Sequence, residues 1–131
     1  MKMSRRELRE SIFLLLFRIE FNTREEVEEQ AALYYEGLDS EEDISYIGEK
    51  LGLILDHLTE IDEKIMEICK GWRLNRLGKA ELAILRLAVY EILYDQDIPT
   101  GVAINEAVVI AKTYCSEEAP RFINGVLAKL A

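Results

Sequence analysis

"KAELAILRLAVYEILYD", residues 79–95, is the stretch on which the fold turns. Its apolar residues lie on every side of a helical wheel and not along one stripe, which marks a helix enclosed by neighbours. It is read as the central helix of a helical domain. Arg86 interrupts the run, and a charge in that position must reach either a partner or a buried acid, because left unpaired it costs several kcal/mol. Both alternatives are open from the sequence.

Working outward, "QDIPTG" at residues 96–101 breaks the pattern, since Pro99 cannot continue a helix and Gly101 relaxes the turn. "VAINEAVVIAKTYC" (102–115) predicts a sixth helix, and "FINGVLAKLA" (122–131) a short seventh after Pro120. Asn105 and Asn124 are read as packing or capping residues of these helices. Upstream, four capping boxes place a Ser or Thr three positions before an acid: Ser4 with Glu7, Thr23 with Glu26, Ser40 with Asp43 and Thr59 with Asp62. The first helix carries Leu8, Ile12, Leu15, Leu16 and Ile19 at the spacing of a buried stripe. In the second, "REEVEEQAALYYEG", Val27, Ala31 and Tyr34 keep register up to Gly37. The third buries Ile44, Ile47, Leu51, Ile54, Leu55 and Leu58, and the fourth buries Ile61, Ile65 and Ile68 before Gly71 ends it. No segment alternates with period two long enough to make a strand. The expectation is one all-α domain, residues 1–131, of about seven helices.

A chain of 131 residues buries roughly two thirds of its unfolded surface, enough for a core without staples. The longest apolar run, Ile12 to Phe17, is too short for a transmembrane span or a signal peptide, so no membrane association is expected. Cys69 and Cys115 form no CxxC and are too few for a disulfide framework or a zinc site. They are read as buried thiols in a reducing cytoplasm. His57 is the only histidine, no nucleophile motif or glycine-rich phosphate loop is present, and metal-ligand spacing is missing. The expectation is a protein with no catalytic residues, metal or cofactor, and not an enzyme.

The formal charge of −9 is unevenly distributed. Residues 1–18 hold five bases and two acids, residues 23–67 three bases and fifteen acids, and residues 68–131 eight bases and seven acids. A nucleic-acid contact would therefore use the ends of the chain. At the start, cations in the first turn oppose the positive end of the helix macrodipole, so stability alone would favour acids there. On a helical wheel Arg6, Arg9, Phe13 and Phe17 lie within about 80° of one another, a strip beside the apolar stripe. Such a strip suits a nucleic-acid backbone, a protein groove, or plain core and surface. Single-stranded RNA fits a mixed basic and aromatic surface, and duplex DNA fits less well because no helix-turn-helix signature is present.

Three segments, "LAILRLAVYEIL" (82–93), "IPTGVAINEAVVIAK" (98–112) and "FINGVLAKL" (122–130), resemble in sequence and spacing the signature segments of the NusB family. "SRRELRE" (4–10) is similar to that family's arginine-rich N-terminus. The resemblance is weak from about residue 22 to 70. It implies an all-helical fold of two small bundles and a transcription antitermination factor, which binds boxA-type single-stranded RNA together with ribosomal protein NusE. The pair serves the RNA polymerase antitermination complex on ribosomal RNA operons. It further implies that Lys2, Arg5, Arg6 and Arg9 meet RNA, joined near the last helix by Tyr114, Glu118, Arg121 and Phe122. Glu118 beside phosphate would temper affinity. Phe17, Glu81 and Arg86 are implied as the NusE surface, although the apolar patch around Phe17 equally suits a second copy of the chain in a homodimer. The alternative is a NusB-like interaction module that binds little RNA, as in fusions to ribosomal RNA methyltransferases; no catalytic domain follows Ala131, which speaks against the fusion.

Overall fold

The computed structural model describes residues 2–70 and 77–131. Among them it contains seven α-helices, one short 3-10 helix and no strand. The chain divides into two compact units, Met1–Asp56 and His57–Ala131.

The first unit holds α1 (Arg5–Phe17), a 3-10 turn (Arg18–Glu20), α2 (Arg24–Glu36) and α3 (Glu41–Asp56). Two complete capping boxes fix its first two helices. Glu7 N donates to Ser4 Oγ at 3.1 Å while Ser4 N donates to Glu7 Oε1 at 2.8 Å, and Thr23 and Glu26 repeat the exchange at 3.2 and 2.8 Å. Because these hydrogen bonds favour the ionised carboxyl, they hold both glutamates below the ordinary value. At α3, Ser40 Oγ accepts from Asp43 N at 3.2 Å. The buried Asp43 carboxylate receives the backbone N–H of Met3 at 2.7 Å, which ties the start of the chain to α3. Leu8, Ile12, Leu15 and Leu16 of α1 are buried with Val27 and Ala31 of α2 and Ile47, Leu51, Ile54 and Leu55 of α3. Ile44 and Leu58 are half-buried.

The second unit holds α4 (Leu58–Ile68), α5 (Lys79–Tyr94), α6 (Thr100–Tyr114) and α7 (Ala119–Ala128). Every residue from Leu82 to Glu91 is buried, and α5 packs against α4, α6 and α7. The enclosed helix expected from residues 79–95 is thus the axis of this unit. Helix α4 begins before the box expected at Thr59: His57 is its N-cap, without a side-chain cap. The reason is that the Asp62 carboxylate turns to Arg86 of α5 and not back toward Thr59. The expected stop at Gly71 lies outside the described residues. Helix α4 ends at Ile68, Lys70 is in the left-handed region with φ 42°, and Lys129 Nζ donates to the Ile68 carbonyl at 2.6 Å. A cation at that end also meets the negative end of the α4 dipole. Helix α7 starts one residue before Pro120, because proline's missing N–H costs nothing in a first turn.

Candidate nucleic-acid and partner-binding surfaces

In the first unit the Ser4 box places Arg5 and Arg6 in the first turn of α1, both exposed. The Arg5 guanidinium lies 4.6 Å from the centroid of the Tyr46 ring, a cation–π contact that holds the side chain over α3. Lys2 Nζ meets Glu42 at 2.6 Å, and this carboxylate pushes the lysine's pKa up, so the ammonium stays charged. The four-residue strip drawn on the wheel is not a surface. Arg9 is 7% exposed and Phe13 only 2%, both within the buried face of α1. The buried arc of this helix is wider than its aliphatic stripe suggests, since Leu8, Arg9, Ser11, Ile12 and Phe13 are all covered. Phe17 is half-buried, and its ring packs tilted against Phe21 with centroids 5.6 Å apart. Phe21, 61% exposed, was not singled out by sequence; its only signal is an aromatic side chain beyond the end of a helix.

In the second unit the end of α6 and the start of α7 carry Tyr114, Glu118, Arg121 and Phe122. Tyr114 is 39% exposed, Glu118 and Arg121 are exposed, and Phe122 is half-buried. A short turn separates the two helices, so the four residues implied by the family resemblance fall at one helix junction. Glu81, at the third position of α5, is half-buried; its carboxylate lies against Gly78, where an added Cβ would collide with it. Burial, with the Glu81 charge and hydrogen bond, pushes the Cys115 thiol up to about 11. Cys69 is buried as expected, whereas Cys115 is only half-buried.

Arg86 is buried and its partner is internal. Nε and Nη2 donate to the Asp62 carboxylate oxygens at 2.9 Å each, a bidentate pair between α5 and α4. Of the two alternatives that the sequence left open, the intramolecular acid is the one present. His57 stacks on Tyr94 with centroids 4.3 Å apart and planes at 15°, a packing arrangement. Asn105 and Asn124 do not pack: both are exposed, because the buried face of α6 runs through Ala103, Glu106, Ala107, Ile110 and Ala111 and that of α7 through Ile123, Val126 and Leu127. No cluster of three or more metal-ligating side chains occurs among the described residues, and no helix there is long and apolar enough to cross a membrane.

Two helical units with cationic and aromatic side chains at helix ends place the chain among the all-α proteins. The chain belongs to the NusB family, whose model matches residues 6–131. It is 48% identical over 131 residues to the transcription antitermination protein NusB of Agathobacter rectalis, a match covering 98% of this chain and 100% of that one. The protein of the same description from Lachnoclostridium phytofermentans is 44% identical over 130 residues, with 98% of each chain covered. The solved structure of T. maritima NusB superposes with a TM-score of 0.87 at 36% identity, covering 100% of this chain and 92% of that one. A structure of antitermination factors NusB and NusE in complex with dsRNA gives 0.83 at 26% identity, covering 96% and 94%.

Proposed function

We propose that this chain is a transcription antitermination factor that binds boxA-type single-stranded RNA together with ribosomal protein NusE and joins the antitermination complex of RNA polymerase on ribosomal RNA operons. The observation that carries the reading is the first turn of α1, where Arg5 and Arg6 are exposed at a helix end that already bears positive partial charge. An anionic backbone relieves that repulsion. Lys2 extends the same cationic end, and Arg121 adds a further cation in the second unit. Tyr114 and Phe122 offer rings for stacking, and Glu118 tempers affinity beside phosphate. The relative solved with NusE and dsRNA supports both classes of partner.

Phe17, with Phe21 beside it in the first unit, and Glu81 in the second unit are each proposed to contact NusE. Arg86 serves it indirectly by pinning α4 to α5 through Asp62. Arg9, buried in the same helix, positions the arginine turn. The protein acts by binding in the cytoplasm and performs no chemical step. A titration of boxA-type single-stranded RNA, with and without NusE, tests the reading: binding is expected from the chain and NusE together, and absence of binding in both arms would refute it.

A second reading, an interaction module with little RNA affinity of its own, is favoured by one observation. Lys2 is paired with Glu42 and Arg9 is buried, which leaves fewer cations free than the sequence offers. In that case RNA binds only when NusE is present. A homodimer through the Phe17–Phe21 patch would appear as a concentration-dependent mass that NusE reverses.

A further inference from the structure

Between α6 and α7 runs an open groove of about 480 Å³, within the size range of ligand pockets. Ile104 and Val108 give it an apolar floor, and Asn105, Asn124 and Arg121 stand along it. All three polar side chains are exposed, and among the described residues none has a hydrogen-bond or ion-pair partner. Gly101 lines the same groove at the second position of α6. Glycine within a helix is less favourable than alanine by up to about 1 kcal/mol. Here a Cβ would find nothing within 4 Å, so no internal neighbour requires the glycine. The room it leaves lies on the groove side.

The chemistry of the lining selects a class of ligand. A phosphate or carboxylate wants donors alone, whereas each asparagine amide offers a donor pair and an acceptor together. That combination matches the edge of a nucleobase, with asparagine and adenine as the best geometric fit. The apolar floor takes the face of a ring, and a guanidinium at the rim takes the phosphate that follows it. A peptide main chain presents similar groups to the amides, but it makes no use of Arg121 and of the Tyr114 and Phe122 rings at the same helix junction.

We propose that the α6–α7 groove receives one unstacked base of the bound RNA, held at its edge by Asn105 and Asn124, with Arg121 on the adjoining phosphate. The proposal rests on the RNA reading above and adds a base-reading subsite to it. The test measures Kd for boxA-type single-stranded RNA by fluorescence anisotropy over several salt concentrations, with the full chain and NusE. The chains compared are the parent, the double variant N105A/N124A, and G101L, which fills the groove from a position where a Cβ meets nothing. Circular dichroism confirms that each is folded.

The double variant is expected to weaken binding by about tenfold or more with an unchanged dependence on salt, since no phosphate contact is lost. G101L is expected to do the same. An abasic substitution at one RNA position should erase the difference between parent and variants. Parental affinity in both variants, beside salt-dependent binding by the parent, would overturn the groove and leave the RNA reading intact. Loss of NusE binding with RNA affinity retained would assign the groove to protein and also overturn it. No RNA binding by the parent at any salt would remove the RNA reading and the subsite with it.

Discussion

Removing either member of the Arg86–Asp62 pair should unfold this protein at a lower temperature, and by unequal amounts. The Arg86 side chain is 7% exposed and that of Asp62 22%. Breaking a buried ion pair from one side costs about 3–5 kcal/mol, because the survivor is left charged and desolvated. In R86M the survivor is the Asp62 carboxylate, which water reaches, so the loss lies near 3 kcal/mol. In D62L the survivor is the guanidinium, which keeps its other contacts but is nearly out of reach of water, and the loss lies near 4 kcal/mol. For a chain of 131 residues each kcal/mol moves Tm by about 3–4 °C, so the shifts are roughly 10 and 14 °C. The double variant R86M/D62L replaces the pair with apolar side chains and should recover most of the loss. Thermal denaturation followed by circular dichroism reads all four corners of the cycle. Single variants within about 1 kcal/mol of the parent, adding without coupling, would refute the view that Arg86 is held from within by Asp62.

Two further outcomes follow from the caps and the thiol. Glu7 and Glu26 titrate below their ordinary value of 4.5 in the folded chain. Their contribution to stability is therefore complete above that value and is lost as pH falls through the folded pKa values. S4A should lower stability by about 1 kcal/mol at neutral pH and flatten this acid limb in a pH series of Tm; an unaltered limb would reject the cap as its source. With its thiol pushed up to about 11, Cys115 should carry about a hundredfold less thiolate at pH 8 than a thiol at 9.0 and alkylate slowly. E81Q removes the carboxylate charge beside it and should speed that reaction. A rate in the parent equal to that of a free cysteine would contradict the burial argument.

What could be read in the sequence was what is local. The Ser4 and Thr23 boxes are four-residue codes, and both are present in full. The enclosed helix of residues 79–95 was legible because burial on every side leaves no polar face to misread. What depended on a partner far along the chain was not legible. Asp62 looked like the acid of a cap at Thr59 until Arg86, 24 residues away, claimed it. Arg9 and Phe13 looked like surface because a wheel drawn for one helix does not show how wide an arc its neighbours cover. Asn105 and Asn124 were misplaced for the opposite reason: each sits among apolar residues in sequence, yet on a face that nothing covers. The RNA and NusE residues came from likeness to a family, and the structure adds which of them are exposed.

The cationic start of α1 is proposed to meet an RNA backbone, and the dependence of RNA affinity on salt tests this most directly. Lys2, Arg5 and Arg6 are exposed, and three phosphate contacts on a single strand contribute about −2 to the slope of log K against log[salt]. The pair of substitutions R5A/R6A should flatten the measured slope by about 1.4, while R9A, which removes a buried side chain, should cost stability and leave the slope in place. A slope unchanged by R5A/R6A would show that this end of α1 does not meet RNA phosphates.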